Sequence, residues 1–325
     1  MQRLLSTIRT LRDQGRSVVF ITHRMSEMFE VCDLFTVMKD GESVASLVAS
    51  ETTSDEMIRL MVGRSLSALF PERVGVDAAA PAVLEVSGLT VPGTSVENAS
   101  VSVRAGEIVG IAGLAGNGQT ELLEGIAGVR SARGTVTVER GRGPFRGTRR
   151  AVAAGVVLVP EDRKRQGLIL PFSIRWNLTL PNLRQVTRVG FVKRREEAAI
   201  TEKSIMTLNI RPGDDRQIVS ELSGGNQQKV VVGRSLIAEP RVLVLADPTR
   251  GIDVGTKQEI YTLLRQLTAE GRGVLMTSSE LSETVGICDR VLVMSSGRIV
   301  AEFTGDDITE EAITDASFSG KAVAS

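Results

Sequence analysis

A glycine-rich stretch at residues 222–229 has the composition of an anion-binding turn. Its sequence is Leu-Ser-Gly-Gly-Asn-Gln-Gln-Lys, and the apolar run that begins at Val230 indicates a helix directly behind the two glycines. Backbone N–H groups at the start of a helix have no partner within the helix, and together with the helix dipole they attract phosphate. The alternative is an ordinary helix start with Ser223 as the N-cap.

A second glycine-rich segment follows a strand that we predict over Ile108–Ile111. Residues 113–120, Gly-Leu-Ala-Gly-Asn-Gly-Gln-Thr, match the phosphate-loop pattern G-x-x-x-x-G-K-[ST], except that Gln119 replaces the lysine. A strand–helix turn without a ligand is the alternative. A hydrogen bond to a charged group is worth roughly 1.5–3 kcal/mol, so loss of the lysine should weaken nucleotide binding by about 10- to 100-fold. The expected phosphate contacts are Gly113, Gly116, Asn117, Gly118, Gln119, Thr120 and Glu121.

Composition and charge exclude several classes of protein. The chain has 325 residues, enough for about two domains, and its 39 basic residues balance 39 acidic ones, which argues against a nucleic-acid partner. It has neither an apolar run of about 18 residues nor a signal-peptide core, so we expect any membrane contact to run through a partner protein. The two cysteines, Cys32 and Cys288, do not suggest a disulfide framework.

The chain contains an internal repeat. Residues 1–45 align without a gap with residues 257–301, and 15 of the 45 positions are identical, including both cysteines. A match at one fixed spacing indicates a duplicated unit. Each copy is predicted to fold as helix, strand, helix and strand. In the first copy these are a helix with an apolar stripe from Leu4 to Leu11, a buried strand over Ser17–Thr22, a helix over Ser26–Val31 and a strand over Leu34–Met38.

The motifs and their order resemble the ATP-binding-cassette (ABC) ATPases, and among them the tandem ATP-binding subunits of bacterial monosaccharide importers. Residues 222–229 resemble the signature motif, and residues 241–253 resemble the Walker B strand and D-loop. Leu158–Gly167, which contains Pro-Glu-Asp-Arg, is similar to the Q-loop of the second domain in sugar importers. The resemblance implies an α/β P-loop NTPase (ABC ATPase) core with a β-rich flap near Val83–Arg104 and a helical subdomain near Ile174–Ile210.

Besides Gln119, four positions depart from the pattern of hydrolysing family members. Glu161 stands where glutamine is usual in the Q-loop, and Ala246 stands where an aspartate organises Mg²⁺. Asp247 replaces the glutamate that polarises the attacking water, and Ser279 takes the switch position, where hydrolysing domains carry histidine. Aspartate is one methylene shorter than glutamate, and an offset of about 1 Å can lower a rate about a hundredfold. The resemblance therefore implies a degraded, poorly hydrolytic site.

The resemblance also assigns roles to individual residues. Asp247 is the expected catalytic carboxylate, and Thr120 is the expected Mg²⁺ ligand. His23, the only histidine, aligns with Ser279 and would be the catalytic switch histidine of the first copy. The further expected nucleotide contacts are Glu161, Ser223, Gly224, Gly225, Gln227, Asp253 and Ser279. In the family, the signature closes over the terminal phosphate of an ATP that is held by the facing domain.

The repeat and the resemblance together predict the domain organisation. Met1 aligns with Lys257, just after the D-loop, so we expect the chain to begin inside a first nucleotide-binding domain, beyond that domain's phosphate loop and signature. Residues 1–70 are then the C-terminal remnant of this first domain, and residues 71–82 are a linker. Residues 83–318 form a second, complete domain, and residues 319–325 are a tail.

The resemblance implies an ATPase subunit that energises the import of a monosaccharide, with ATP and Mg²⁺ as cofactors. Its expected partners are integral-membrane permease subunits, a second ATPase domain or subunit and, indirectly, a periplasmic or lipid-anchored sugar-binding protein. The expected location is the cytoplasmic face of the bacterial cell membrane, as a peripheral protein.

Three alternatives stay open. The ATPase of a nucleoside importer has a similar Gly-Asn-Gly-Gln loop. A regulatory or scaffolding fragment that binds nucleotide without hydrolysing it would fit the degraded site. A ribosome-associated ABC protein usually keeps its phosphate-loop lysines and carries a basic linker, whereas residues 72–81 contain one arginine.

Overall fold

The computed structural model describes residues 2–22, 25–39, 42–62, 70–73, 75, 77 and 79–319. The chain divides into two compact units. These are Met1–Phe70 with Asp253–Glu259, and Pro71–Ile252 with Ile260–Ser325.

The first unit consists mainly of three helices and one antiparallel hairpin. Its elements are α1 (Gln2–Asp13), α2 (Met25–Val31), β1 (Leu34–Lys39), β2 (Glu42–Val48) and α3 (Ser54–Val62). Leu5, Ile8 and Val31 form one buried apolar cluster, and the buried side chains of Phe35 and Met57 belong to a second. Helix α3 is followed by residues 63–69, which lie outside the described residues.

The strand expected over Ser17–Thr22 is not formed. The segment is extended without a strand partner, and the side chains of Val19 and Ile21 are 90% and 92% exposed. The aligned segment of the second unit, β12 (Gly273–Thr277), is fully buried because it pairs on both sides. The described part of the first unit offers no such neighbours, so the apolar pattern was correctly noted but the strand prediction was wrong.

The second unit contains a six-stranded sheet. Its strands, besides β12, are β5 (Ile108–Ala112), β8 (Val156–Val159), β11 (Val242–Ala246), β13 (Arg290–Ser295) and β14 (Arg298–Thr304). The strand order is β14-β13-β5-β12-β11-β8, and every neighbouring pair is parallel except β13 with β14. Every residue of β5, β11 and β12 is buried, as is typical of parallel strands that are covered on both faces. The helices that follow these strands are α4 (Gln119–Ile126), α9 (Gly224–Leu236), α10 (Val254–Ala269), α11 (Leu281–Ile287) and α12 (Glu310–Ser319).

A flap and a helical subdomain complete the second unit, and their presence confirms the expected fold class. The flap is a four-stranded antiparallel sheet followed by a short helix: β3 (Ala82–Thr90), β4 (Ala99–Arg104), β6 (Arg133–Val138), β7 (Gly141–Gly143) and α5 (Thr148–Ala154). The helical subdomain contains α6 (Ile174–Thr179), α7 (Leu183–Val186), β9 (Thr187–Arg188), β10 (Phe191–Val192) and α8 (Arg194–Thr207). Within the described residues, no helix is both long enough and apolar enough to span a bilayer.

The element boundaries of the first unit recur 256 positions later in the chain. Helix α2 and strands β1 and β2 begin and end 256 residues before α11, β13 and β14, and the register shift in β1 recurs at the same place in β13. A buried glutamate recurs as well: the Thr22 hydroxyl donates to Glu27 at 3.1 Å, and the Ser278 hydroxyl donates to Glu283 at 2.7 Å. The aligned cysteines are both free thiols, but Cys288 is buried and Cys32 only half-buried.

We predict that Gly110→Ala lowers the free energy of unfolding by about 1–3 kcal/mol because it overpacks the core. A Cβ at Gly110 would lie 2.7 Å from Cys288 Sγ and 3.0 Å from Thr284 Cγ2, and both of those side chains are buried. Gly213→Ala is the matched control, because its Cβ would approach Ile205 only to 3.8 Å. Urea denaturation of the two variants tests this, and an unchanged midpoint for Gly110→Ala would contradict the packing described here.

Candidate nucleotide-binding site

The candidate site lies where three neighbouring parallel strands end. The phosphate loop follows β5, Asp247 follows β11, and Ser278 and Ser279 follow β12. Strand β12 lies between the other two, and Ala246 pairs with Thr277 at its end. The carboxyl ends of parallel strands form the usual ligand crevice of open α/β sheets. The sheet therefore brings together motifs that are far apart in the sequence.

Backbone geometry gives the phosphate loop the form of an anion cradle. Gly113 has φ +146° and Gly118 has φ +100°, both in the region that favours glycine. A Cβ at Gly113 would lie 2.2 Å from the Met294 carbonyl oxygen, so this position has no room for a side chain. Gly118 is the N-cap of α4 and supplies no capping side chain, which leaves N–H groups of the first turn without an intrahelical partner.

Two side chains that were expected to contact phosphate form hydrogen bonds to the protein backbone in this structure. The Asn117 side chain donates to the Met294 carbonyl at 3.2 Å and accepts from the Ser296 N–H at 3.3 Å. The Gln119 amide turns back and donates to the Leu114 carbonyl at 3.0 Å. In this arrangement the backbone offers the contacts to an anion, while the side chains hold the loop in shape.

The oxygen donors are too few for a strong Mg²⁺ site. Magnesium takes oxygen ligands in octahedral geometry. Ala246 is 1% exposed, and its methyl side chain has no oxygen to offer a metal. The half-buried Thr120 hydroxyl is therefore the expected Mg²⁺ ligand. Glu121 is half-buried in the first turn of α4, where the helix dipole favours a carboxylate. The described residues contain no cluster of three or more His, Cys, Asp or Glu side chains that would hold a metal by itself.

Asp247 is held in an unusual backbone conformation. Its φ is +48°, which is uncommon for a residue other than glycine, and its N–H donates to the Thr277 carbonyl at 3.0 Å. Burial raises the pKa of Asp247, and the charges of Glu283 and Glu280 act in the same direction. Hydrogen bonds from Ser279 oppose the rise in this pKa, including one from its N–H to Asp247 Oδ1 at 3.3 Å. The structure thus brings together the two residues that were expected at the catalytic and switch positions.

Charged residues of the Q-loop join it to two other motifs. Glu161 forms an ion pair with Arg250, which follows the Walker B strand. Arg163 donates to the Arg250 carbonyl at 2.7 Å and to the Gly251 carbonyl at 3.3 Å. A Cβ at Gly224 would lie 2.8 Å from Arg163 Nη2, so the guanidinium also lies against the start of the signature helix. Burial lowers the pKa of Arg163.

The signature motif begins helix α9 as expected. The Ser223 hydroxyl accepts a hydrogen bond from the Asn226 N–H at 3.4 Å, so Ser223 is an N-cap as well as a possible phosphate contact. Gly224 is half-buried and Gly225 is buried in the first turn of α9. Gln227 was expected to contact nucleotide, but its buried amide donates to the Val219 carbonyl at 3.1 Å and so serves the protein interior.

Two further expectations have different outcomes. The Asp253 carboxylate caps the start of α10, accepting from the Thr256 N–H at 2.9 Å and from the Thr256 hydroxyl at 2.8 Å. His23, the expected switch histidine of the first copy, lies outside the described residues.

Sequence reasoning missed Arg163 and Glu283. Arg163 was identified only as part of the Pro-Glu-Asp-Arg motif of the Q-loop, without a role of its own. Glu283 is 2% exposed and accepts hydrogen bonds from Thr249 and Ser278, which connects the segments that follow β11 and β12. The alignment of Glu283 with Glu27 was a signal that would have found it, because a buried acid rarely recurs without partners.

A cleft of ≈ 970 Å³ opens beside the site. Its lining includes Thr120, Glu161, Ala246 and Arg250, and also Leu183 of the helical subdomain. Residues of the phosphate loop helix, the Q-loop and the segment after β11 therefore face a common space.

We predict that Asp247→Asn stabilises the folded chain at neutral pH. The pKa of Asp247 is higher in the folded than in the unfolded chain, so the folded chain holds this proton more tightly. The free energy of unfolding therefore falls as the pH rises from the unfolded-state pKa through the folded-state pKa. The amide keeps an acceptor for the Ser279 N–H but carries no charge. The gain in urea midpoint should be present at pH 7 and absent below the unfolded pKa of about 3.9, where both forms are neutral. A gain that is equal at both pH values would contradict the assigned cause.

Comparison with known proteins finds similar proteins and a family match that includes the phosphate loop, the Q-loop and the signature. Residues 96–250 match the ABC transporter family. The chain is 42% identical over 324 residues to the ribose import ATP-binding protein RbsA of Geobacillus kaustophilus, an alignment that covers 98% of this chain and 64% of that protein. It is 48% identical over 318 residues to ribose import ATP-binding protein RbsA 2 of Rubrobacter xylanophilus, which covers 96% and 60%. The chain thus spans roughly three fifths of the length of these curated relatives.

Solved structures agree on the fold. An ATP-binding cassette of an ABC transporter superposes with a TM-score of 0.62 at 23% identity and covers 73% of this chain and 99% of its own. Another cassette, solved as a dimer in a post-hydrolysis state with ADP and phosphate, gives a TM-score of 0.59 at 18% identity and covers 68% and 98%. The glycine cradle and the capped signature helix thus belong to an α/β P-loop fold of the ABC ATPase type, in which residues 96–250 match the ABC transporter family.

Proposed function

We propose that this chain is part of the ATP-binding subunit of a bacterial monosaccharide importer, and that its own nucleotide site is poorly hydrolytic. The observation that carries the proposal is a contrast within one domain. The signature helix start is intact, with its capped Ser223 and two glycines, whereas the phosphate site has Gln119 and Ala246 in place of lysine and aspartate. The 42–48% identity to ribose import ATP-binding proteins supports a sugar substrate.

In this proposal residues 1–70 are a partial copy and residues 83–318 a complete copy of one nucleotide-binding domain. The common spacing of 256 residues between α2, β1 and β2 and their counterparts supports this organisation. Residues 71–82 are the linker and residues 319–325 the tail.

The complete domain would bind ATP mainly through backbone N–H groups of the phosphate loop. Mg²⁺, when bound, would neutralise charge on the phosphate oxygens, and Thr120 is the residue that would hold it. Asp247 would position a water molecule through its carboxylate, with Ser279 fixing that carboxylate by its N–H. With a short acid and no lysine, this site would turn over slowly.

The signature would serve a nucleotide that is held by a second ATPase domain. Ser223, Gly224 and Gly225 start helix α9, whose N–H groups and dipole favour a phosphate at this end. Arg163 would position them, because its guanidinium lies against Gly224 and bonds to the segment after β11. Closure of a second domain over this helix start would thus complete the hydrolysing site.

The proposed partners are the integral-membrane permease subunits of the importer and, through them, a sugar-binding protein outside the membrane. The cleft whose lining includes Glu161 and Leu183 is a suitable surface for a permease segment. The chain would then lie at the cytoplasmic face of the membrane as a peripheral subunit.

A second candidate function is non-hydrolytic nucleotide binding in a regulatory or scaffolding role, favoured by Gln119 and Ala246. Turnover assays on a mixture of two domains distinguish the two functions. The isolated chain should show little hydrolysis in either case, so the assay must include a second domain that has an intact phosphate loop. Mg²⁺-dependent turnover near or above about 1 s⁻¹ only in the mixture supports the importer role. No stimulation supports the scaffold.

We predict that Gln119→Lys combined with Ala246→Asp tightens nucleotide binding by about 10- to 100-fold, because a charge-assisted hydrogen bond is restored. Affinity should rise before any hydrolysis appears, since Asp247 and Ser279 are unchanged. Titration with a fluorescent ATP analogue measures the effect. Gln166→Lys adds the same charge at an exposed Q-loop position and is the control. An unchanged affinity in the double variant would mean that the phosphate loop is misassigned.

We predict that Gly225→Asp in the assembled importer abolishes sugar uptake while ATP binding by the facing domain persists. The change places bulk and a negative charge at the buried start of α9, opposite the terminal phosphate. Gly213→Asp, at an exposed glycine with no close neighbour, is the matched control. Uptake assays in cells and nucleotide binding by the purified complex are the measurements. Normal uptake with Gly225→Asp would overturn the proposed composite site.

A further inference from the structure

A small β-hairpin projects from the helical subdomain. Strands β9 and β10 pair antiparallel, with Phe191 opposite Arg188, and the turn between them is Val189-Gly190. Both turn residues have positive φ, +52° for Val189 and +82° for Gly190, as in the tight turns that match strand twist. A β-branched residue in this region is strained, so the turn holds Val189 outward at a cost in stability.

The tip of this hairpin is apolar and exposed, although its base is anchored. The side chains of Val189 and Phe191 are 89% and 79% exposed, and that of Val192 is 43% exposed. At the base, Val186 is 1% exposed, and its carbonyl accepts the Lys193 N–H at 2.8 Å. The exposed side chains therefore stand on a fixed support.

Basic side chains surround this tip. Residues 184–195 contain five cations and no acid; the cations are Arg184, Arg188, Lys193, Arg194 and Arg195. Within the part of the chain that the structure describes, Lys193 pairs with Glu196, and the four arginines make no ion pair. Four of the five are exposed, and Lys193 is half-buried.

The start of α8 adds a second argument for an anionic partner. Arg194 and Arg195 begin its first turn, where the helix dipole disfavours cations; Glu196, which pairs with Lys193, and the buried Glu197 follow them. The N-cap residue, Lys193, makes no capping hydrogen bond with its side chain. The N–H groups of the first turn therefore have no acceptor from the cap residue's side chain. An anion held here would bond to these N–H groups and relieve the repulsion between the arginines.

We propose that this basic hairpin, residues 184–195, binds the surface of an anionic lipid bilayer. Phosphate headgroups match the cations and the open start of α8, and an aromatic side chain favours the interfacial region of a bilayer. Val189 and Phe191 would enter the boundary between headgroups and acyl chains, as apolar faces of peripheral proteins do. The inference is independent of the proposed transport role, because it needs neither nucleotide nor permease.

Co-sedimentation of the full 325-residue chain with vesicles tests this. The chain should bind phosphatidylcholine vesicles that contain phosphatidylglycerol, and not phosphatidylcholine alone. Binding should fall as salt rises, because the Debye length shrinks from about 10 Å at 0.1 M to 3 Å at 1 M. Val189→Ser with Phe191→Ser should lower the partition coefficient at least about tenfold, and Arg188→Gln or Arg195→Gln about fivefold each.

Met206→Ser is the matched control, because Met206 is 74% exposed near the other end of α8, about 18 Å along the helix from Arg194. Thermal unfolding and nucleotide binding of every variant check that the fold is intact. Equal binding to neutral vesicles, an equal loss with Met206→Ser, or no binding to vesicles would each overturn the proposal. If vesicles are not bound but the hairpin variants lose sugar uptake, the surface contacts a protein instead, which also overturns it.

Discussion

The parallel register of β5, β12 and β11 is the constraint on which the candidate site depends. Each strand is buried along its whole length, so a shift of one residue would exchange the side chains that pack on its two covered faces. Because this register is fixed, the loops after the three strands meet at one edge. The glycine cradle, Asp247 and Ser279 therefore share a site without any direct chain connection between them.

The substitutions at this edge compensate each other electrostatically. A lysine at position 119 without an opposing acid, or an aspartate at 246 without a cation, would leave an uncompensated charge in a partly buried site. Gln119 and Ala246 remove one charge of each sign, so the net charge of the pair is unchanged. The pKa of Asp247 is raised by its burial and by the charges of Glu283 and Glu280, and not by any group at position 246.

The sequence predicted the fold class and came within one residue of the bounds of β5, α2 and β1, because motif spacing and apolar periodicity depend on local chain geometry. It failed where the outcome depended on distant contacts. Ser17–Thr22 has the pattern of a strand but no partner in the described residues. Gln227 has the expected position in its motif, yet its buried side-chain amide donates to the Val219 carbonyl. Arg163 acquires its importance only because the Q-loop lies against residues about 90 positions away, and no local pattern contains that information.

The extended segment at residues 17–21 has a consequence for the behaviour of the chain in solution. Its backbone makes no hydrogen bond to the backbone of another described residue, and Val19 and Ile21 are almost fully exposed. An open edge with alternate apolar side chains is a template on which an additional strand can assemble. Self-association by strand addition would bury both side chains and satisfy the free N–H and C=O groups. The exposed residues 17–21 are therefore a determinant of the colloidal stability of this chain.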